Sequence, residues 1–238
     1  MQLSKRLEAI ADMVTTGNRL ADVGTDHGYL PIYLYEHHRI PQAIAMDIRK
    51  GPLERAVLHI REHGLSTYIT TRLSDGIEKL LPQEADTLVI AGMGGGLVRK
   101  ILGQNPEVLA TLQELILQPQ SEIDQVRLFL EKQEYDIVQE NMILEDGKYY
   151  PMMRAVKSKR CENQRKEAYT IEQLAYGPLL LQNQHPVLYE YLKKELKTHE
   201  DLLVHLQNQD TERARARIEE INKEIRCICA GMRYYDRT

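Results

Sequence analysis

Asp22-Val23-Gly24-Thr25-Asp26-His27-Gly28-Tyr29-Leu30 is the stretch that decides the fold. The apolar pair Leu20-Ala21 precedes it, and Pro31-Ile32-Tyr33-Leu34 follows as the opening of a helix. A strand, a turn of small residues and a helix start form the first half of a nucleotide-binding β-α-β unit. Gly24 and Gly28 let the backbone approach a ligand closely, and the first helical turn offers unpaired N–H groups. The stretch by itself leaves the kind of ligand open.

Outward from it, the hydrophobic spacing alternates between the periods of strand and helix. Residues 3–14 carry apolar side chains at 3, 7, 10 and 14, a helical spacing stopped by Gly17-Asn18. Residues 19–23 read as the first strand and 28–38 as a helix. Ala43-Ile44-Ala45-Met46-Asp47-Ile48 reads as a second strand, and Gly51-Pro52 opens a helix closed by Gly64. Further strands are predicted at 68–73, 87–91 and 114–118, with helices at 97–102 and from Ser121. Segments 135–144 and 149–156, around Glu145-Asp146-Gly147-Lys148, read as a closing hairpin. Short, nearly continuous apolar strands alternating with helices indicate an α/β fold, its parallel sheet ending in an antiparallel edge.

The composition changes after about Lys157. Residues 157–166 are polar and charged, a linker between a first domain, 1–160, and a helical domain, 161–238. Thr170-Ile171-Glu172-Gln173 forms a capping box. Leu188, Leu192, Leu196, His199, Leu203 and Leu206 form one apolar stripe, and Ile218, Ile221, Ile225 and Ile228 another. With Asn208-Gln209-Asp210 between them, they predict an antiparallel, coiled-coil-like helical hairpin.

Composition narrows the function classes. A hydrophobic content of 42% over 238 residues supports a packed core. No apolar run is long enough to span a membrane, and residues 1–8 lack the apolar core of a signal peptide. Three cysteines, with Cys161 alone and Cys227 and Cys229 two apart, supply neither a disulfide framework nor a zinc site. The expectation is a reduced, cytoplasmic protein without a metal. A net charge of −4 makes no global case for nucleic acid. Local basic clusters occur at Arg49-Lys50, Arg99-Lys100, Lys157-Ser158-Lys159-Arg160, and Arg213, Arg215 and Arg217.

The chemistry is written at the predicted strand ends. A dinucleotide fingerprint requires Gly-x-Gly-x-x-Gly after the first strand. Here Asp22, Gly24, Asp26 and Gly28 alternate, the third glycine is missing, and Asp26 places a carboxylate at the helix start. A carboxylate there repels phosphate but suits a ligand with an amino group and a sulfonium cation, which favours S-adenosylmethionine over NAD. Asp47 ends the second strand, where an acid accepts the ribose hydroxyls, and Ile48 beside it can cover the adenine. Asp75-Gly76 follows the third strand, placed to accept from the adenine exocyclic amine. Each acid alone is equally a helix cap; acids at consecutive strand ends point to a ligand. The fourth strand runs into Gly92-Met93-Gly94-Gly95-Gly96, more glycine than a turn needs, which suits close approach by a flat base or by the donor's methyl end.

Gly24-Thr25-Asp26-His27-Gly28-Tyr29-Leu30-Pro31, Ile90-Ala91-Gly92-Met93-Gly94-Gly95, Leu115-Ile116-Leu117-Gln118-Pro119 and Gly147-Lys148-Tyr149-Tyr150 together resemble the bacterial tRNA (adenine-22-N1)-methyltransferase family. The resemblance covers the whole chain. It implies a Rossmann-like class I methyltransferase domain followed by a coiled-coil hairpin. It also implies S-adenosyl-L-methionine as donor, S-adenosyl-L-homocysteine as product, and N1 of a tRNA adenine as acceptor.

The residues add to that reading. Ala91-Gly92-Met93-Gly94 carries no side-chain acceptor, which fits a ring nitrogen that attacks through its own lone pair. Asp22, Gly24, Asp26, Gly28, Asp47, Ile48, Asp75, Gly76, Gly92, Met93 and Gly94 are the expected donor contacts. Asp26 is the candidate catalytic acid, and His27 and Tyr29 are candidate substrate contacts. Arg213 and Arg217, on one face of the hairpin, are candidate tRNA contacts. N1 is engaged in base pairing, so the target adenine must be unpaired or extruded. The competing readings are a small-molecule or protein methyltransferase of the same fold, and an inactive coiled-coil interaction protein. The oligomeric state stays open, with a monomer as the simpler expectation.

Overall fold

The computed structural model describes residues 2–159, 168–209 and 211–236. The chain divides into two compact units, residues 1–161 and 162–238. Cys161, most of the expected linker and Asp210 of the expected hairpin turn lie outside the described residues.

In the first unit Ser4 caps α1 (Lys5–Met13) by accepting from Leu7 N. There follow β1 (Leu20–Val23), α2 (Tyr29–Glu36), β2 (Ala43–Asp47), α3 (Lys50–Glu62) and β3 (Ile69–Leu73). Next come β4 (Thr87–Met93), α4 (Gly95–Gly103), α5 (Pro106–Thr111), β5 (Glu114–Pro119) and α6 (Ile123–Lys132). The hairpin β6 (Tyr135–Glu145) and β7 (Lys148–Lys157) completes the unit. The strands form one seven-stranded sheet in the order β3-β2-β1-β4-β5-β7-β6. Pairing is parallel from β3 to β5 and antiparallel at β5–β7 and β7–β6.

Every residue of β1 and β5 is buried, which is why their sequence is nearly continuous in apolar residues. The core gathers Ile10 and Met13 of α1, Leu30 and Leu34 of α2, Ala56 and Ile60 of α3, and the inward residues of β1, β2 and β4. Polar ties hold the far end of the sheet. Glu114, at the start of β5, accepts from Thr15 N at 3.0 Å and from the Thr87 hydroxyl at 2.8 Å. Arg154 of β7 reaches the other oxygen of Glu114 through Nε.

Three differences from the sequence reading have physical causes. No helix joins β3 to β4; burial of Ile77 and Leu80 and the Arg72–Glu84 pair fix that loop instead. The short α5, capped by Asn105 with Pro106 at its start, lacks the length for a visible period. Gly92 and Met93 belong to β4, and Gly95 begins α4 rather than extending a loop. A Cβ at Gly95 would lie 2.2 Å from the Ser121 carbonyl oxygen, so that glycine serves the packing of α4 on the β5–α6 turn.

The second unit contains α7 (Ile171–Tyr176), α8 (Pro178–Gln182), α9 (Pro186–Gln207) and α10 (Glu212–Met232). The capping box forms: Thr170 Oγ1 accepts from Gln173 N and Gln173 Oε1 from Thr170 N. Helices α9 and α10 pack as a hairpin through Leu188, Leu192, Ile221 and Ile228, with a His199–Glu224 contact of 3.0 Å across it. Leu203, Leu206 and Ile218 remain half-buried, because two helices alone cover only part of each stripe.

Gly95→Ala is expected to destabilise the protein by about 1–3 kcal/mol, since backbone atoms must move to admit the methyl group. Gly103→Ala, where a Cβ meets nothing within 4 Å, is expected to be neutral or slightly stabilising. Thermal and urea melts of the two variants check the contrast.

Candidate active site

β1 lies between β2 and β4, at the point where the strand order reverses. Crossovers leave in opposite directions there, so a crevice opens outside the carboxyl ends of the strands. A cavity of about 200 Å³ occupies it, lined by Arg6, Asp22, Gly24, Asp26, His27 and Ala91 among others.

The β1–α2 loop shapes one wall. Gly24 (φ 78°), Asp26 (φ 49°) and Gly28 (φ 72°) all take left-handed backbone. Gly24 N and Thr25 N donate to Met46 O at 2.8 and 3.0 Å, which hangs the loop on the end of β2. At φ 78° Gly24 holds a backbone conformation that a side chain would strain, and a Cβ there would also displace the end of the Met93 side chain, 2.4 Å away. Gly28 caps α2, and its missing side chain admits Ala56 of α3.

Two carboxylates are buried on the adjoining strands, Asp22 of β1 in the lining and Asp47 at the end of β2. Asp22 and Asp47 are each 6% exposed. Burial pushes the Asp22 carboxyl up to about 6; the Thr25 hydroxyl pulls it back, and the charge of Asp47 raises it further. Asp47 accepts from Arg49 N at 2.8 Å, and its carbonyl accepts from Ser74 N at 2.9 Å, tying the ends of β2 and β3 together. Ile48, 60% exposed, presents an apolar face at this rim. Asp75 stands partly exposed, with Lys100 Nζ 3.9 Å away. Gly76 packs against Ile101 and Gln104 of α4, which accounts for its lack of a side chain without a ligand.

Asp26 stands at the mouth. Its Oδ1 accepts from Arg55 Nη2 at 2.8 Å, and its Oδ2 lies 3.5 Å from His27 Nε2. The rings of His27, Tyr29 and His59 stack, with centroids 5.0–5.5 Å apart. His59 Nδ1 lies 3.0 Å from the His27 carbonyl oxygen and donates to it. His27 Nδ1 is buried without a hydrogen-bond partner. At the end of β4, Gly92 N donates to Gln118 Oε1 at 3.1 Å, and Arg6 Nη1 donates to the same oxygen at 3.2 Å.

Asp22, Gly24, Asp26, His27 and Tyr29 thus surround one cavity, with Asp47, Ile48 and Asp75 on the adjoining strand ends. Gly94 caps α4, with Ser121 Oγ where its Cβ would press. Arg213 and Arg217 lie on α10 of the second unit. Arg213 is exposed, whereas Arg217 donates to Glu220 and Glu224 at 2.8 and 3.2 Å, so acids of its own helix compensate its charge. Sequence reasoning missed Arg6, Arg55 and His59. Arg55 and His59 each precede a buried residue of α3, Ala56 and Ile60; that spacing shows a shared face but not what the face meets.

A family model described as tRNA (adenine(22)-N(1))-methyltransferase matches residues 20–229. The chain belongs to this family. The tRNA (adenine(22)-N(1))-methyltransferase of Bacillus subtilis (strain 168) is 33% identical over 226 residues, 93% of each chain. A Streptococcus pneumoniae structure in complex with S-adenosyl-L-methionine is 31% identical, with a TM-score of 0.85, covering 97% of this chain and 100% of its own. The Mycoplasma capricolum member, TrmK, solved with S-adenosyl-homocysteine, is 26% identical with a TM-score of 0.83, covering 98% of this chain and 99% of its own. The fold is the Rossmann-like class I methyltransferase sheet followed by C-terminal helices, and family members are S-adenosylmethionine-dependent enzymes.

The raised Asp22 carboxyl gives a pH dependence with a definite sign. Below pH 6 the free protein holds Asp22 protonated, so binding a cationic, hydrogen-donating ligand must expel that proton. Affinity for S-adenosyl-L-methionine is expected to fall about tenfold between pH 7 and pH 5. Asp22→Asn is expected to flatten the profile. Calorimetric titration across this range measures both.

Proposed function

We propose that this protein transfers a methyl group from S-adenosyl-L-methionine to N1 of adenine 22 in tRNA, in the cytoplasm. The observation that carries the reading is the pairing of buried carboxylates with a bare acceptor side in one crevice. Asp22 and Asp47 are buried side by side on β1 and β2, and the neighbouring end of β4, Ala91-Gly92-Met93, has no side-chain acid, base or amide.

The residues fit the donor. Buried acids beside one another suit a ligand that is cationic and rich in donors, and burial, with a smaller contribution from the Asp47 charge, holds the Asp22 carboxyl high. Asp47 would hold the ribose hydroxyls, Ile48 would cover the adenine, and Asp75 would accept its exocyclic amine. Asp22, the Gly24 turn and Asp26 would receive the methionyl end, with Met93 and Gly94 beside it. When bound, the donor supplies an electrophilic methyl on a sulfonium.

The acceptor side needs little chemistry from the protein. N1 of neutral adenine bears a free lone pair, so the N–C bond forms as the S–C bond breaks, and no proton has to leave. The end of β4 therefore leaves room for the ring, and the site's work is in-line positioning and exclusion of water. Methylation makes the base a cation. Arg55 occupies one oxygen of Asp26, and the other, 3.5 Å from His27 Nε2, would stabilise that charge as the candidate catalytic carboxylate. His27 and Tyr29, within an aromatic layer at the mouth, suit stacking against an extruded base. Exposed Arg213 suits a phosphate contact; Arg217 would have to leave its glutamates to make one.

Incubation with unmodified tRNA, followed by nucleoside mass spectrometry and primer-extension mapping, is expected to find 1-methyladenosine at position 22 and none in tRNA carrying another base there. Methylation elsewhere, or of protein or small molecules alone, would reject the assignment. Asp47→Ala is expected to weaken donor binding about 10- to 100-fold, because the hydrogen bonds lost are charge-assisted. Unchanged affinity in calorimetry would remove Asp47 from the site.

A further inference from the structure

The mouth of the crevice is built on backbone that has little hold of its own. His27 stands between Asp26 (φ 49°) and Gly28 (φ 72°), both left-handed, so its peptide belongs to no helix or strand ladder. Its carbonyl lies one residue before the cap of α2, and Pro31, four residues on, has no N–H to draw it into the helix. The His27 ring is no better tied: Nδ1 is buried without a hydrogen-bond partner, and Nε2 lies 3.5 Å from Asp26 Oδ2.

Helix α3 supplies what the turn lacks. Arg55 and His59, one helical turn apart, share a face of α3. The residues beside them, Ala56 and Ile60, are 0% and 2% exposed, so the core fixes that face. A Cβ on Gly28 would lie 3.3 Å from Ala56 Cβ, so the turn rests on the helix. Arg55 Nη2 donates to Asp26 Oδ1 at 2.8 Å, and His59 Nδ1 reaches the His27 carbonyl oxygen at 3.0 Å. A carbonyl oxygen only accepts, so Nδ1 of His59 carries a proton.

This bond also sets a plane. The rings of His27, Tyr29 and His59 are nearly parallel, with interplanar angles of 9–18° and centroids 5.0, 5.2 and 5.5 Å apart. Three rings in a column would leave the outer pair about twice as far apart as neighbours. Near-equal separations make a triangle instead, a broad flat shelf. Tyr29 is 38% exposed, so the shelf opens outward.

We propose that His59 is a positioning residue for methyl transfer: through the His27 carbonyl it sets the shelf on which the acceptor adenine stacks, an inference that rests on the acceptor assignment above. In this role His59 touches no reacting atom. In-line attack on the donor methyl depends on the tilt of the base, and a misplacement of about 1 Å can slow such a step by about 100-fold.

Steady-state methylation of tRNA by the full chain, with calorimetry of donor binding, tests the contact. His59→Ala is expected to lower kcat about tenfold, with KM for tRNA within about threefold and donor affinity within about twofold of the wild type. His59→Gln keeps an N–H donor without the ring and is expected to recover most of kcat. His59→Phe keeps a ring without the donor and is expected to stay near His59→Ala. Circular dichroism and melting should show the variants folded; if His59→Ala is not, the contrast between His59→Gln and His59→Phe decides. Unchanged kcat in His59→Ala, or recovery in His59→Phe equal to that in His59→Gln, would overturn the proposal. So would a raised KM at unchanged kcat, which would make His59 a direct tRNA contact, or a loss of donor affinity as large as the loss of rate. A wild type that leaves N1 of tRNA adenine unmethylated would instead overturn the acceptor assignment itself.

Discussion

Parallel pairing of β1 with β2 on one side and β4 on the other is the constraint on which the rest of the catalytic unit depends. It sets Val23 beside both Met46 and Ile90, so the carboxyl ends of the three strands lie on one edge of the sheet, with β4 running three residues further. The strand ends and the loops that leave them bring Gly24 to Asp26, Asp47 and Ile48, and Gly92 to Gly94 to one edge. Replacing Gly24 would strain a backbone held at φ 78° and displace the Met93 side chain where the crevice begins. Fold and site are therefore one geometric fact: the sheet buries both faces, and its unpaired strand ends are where polar groups can collect.

Those polar groups are poised rather than neutralised. Elsewhere in the unit, acids are matched within the chain: Glu114 by Thr15, Thr87 and Arg154, Glu140 by buried Arg127, and Asp86 by Arg19. Among the described residues no ion pair holds Asp22, and desolvation keeps its carboxyl high. A buried acid without a counter-charge costs stability, and a bound cation would relieve it. At the mouth, Asp26 is half satisfied by Arg55, and the His27–Tyr29–His59 layer offers a flat aromatic surface.

The second unit is built on a different economy of contacts. The α9–α10 hairpin buries Leu188, Leu192, Ile221 and Ile228, while some of its surface charges pair within it, as with Arg217 between Glu220 and Glu224. Ion pairs on an exposed helix contribute little each and are screened by salt. They can be exchanged for phosphate contacts at small cost, which is compatible with an RNA-binding face.

The sequence by itself determined the parallel core, the hairpin edge, the glycine–acid turn after β1 and the helical second unit. Each of these is written as a local period or as residue types that a single turn requires. The strand-end acids were legible for the same reason: a parallel strand carries its last residue to the ligand edge whatever its neighbours are. Only the tertiary structure decided which glycines face the crevice and which serve packing. Gly24 stands against Met93, whereas Gly76 and Gly95 press on α4 and the Ser121 carbonyl, contacts between segments distant in the chain. It also brought Arg6, Arg55 and His59 to the site and paired Arg217 away. A side chain on a helix announces its own face, but what that face meets is set by the packing of the helix on the sheet.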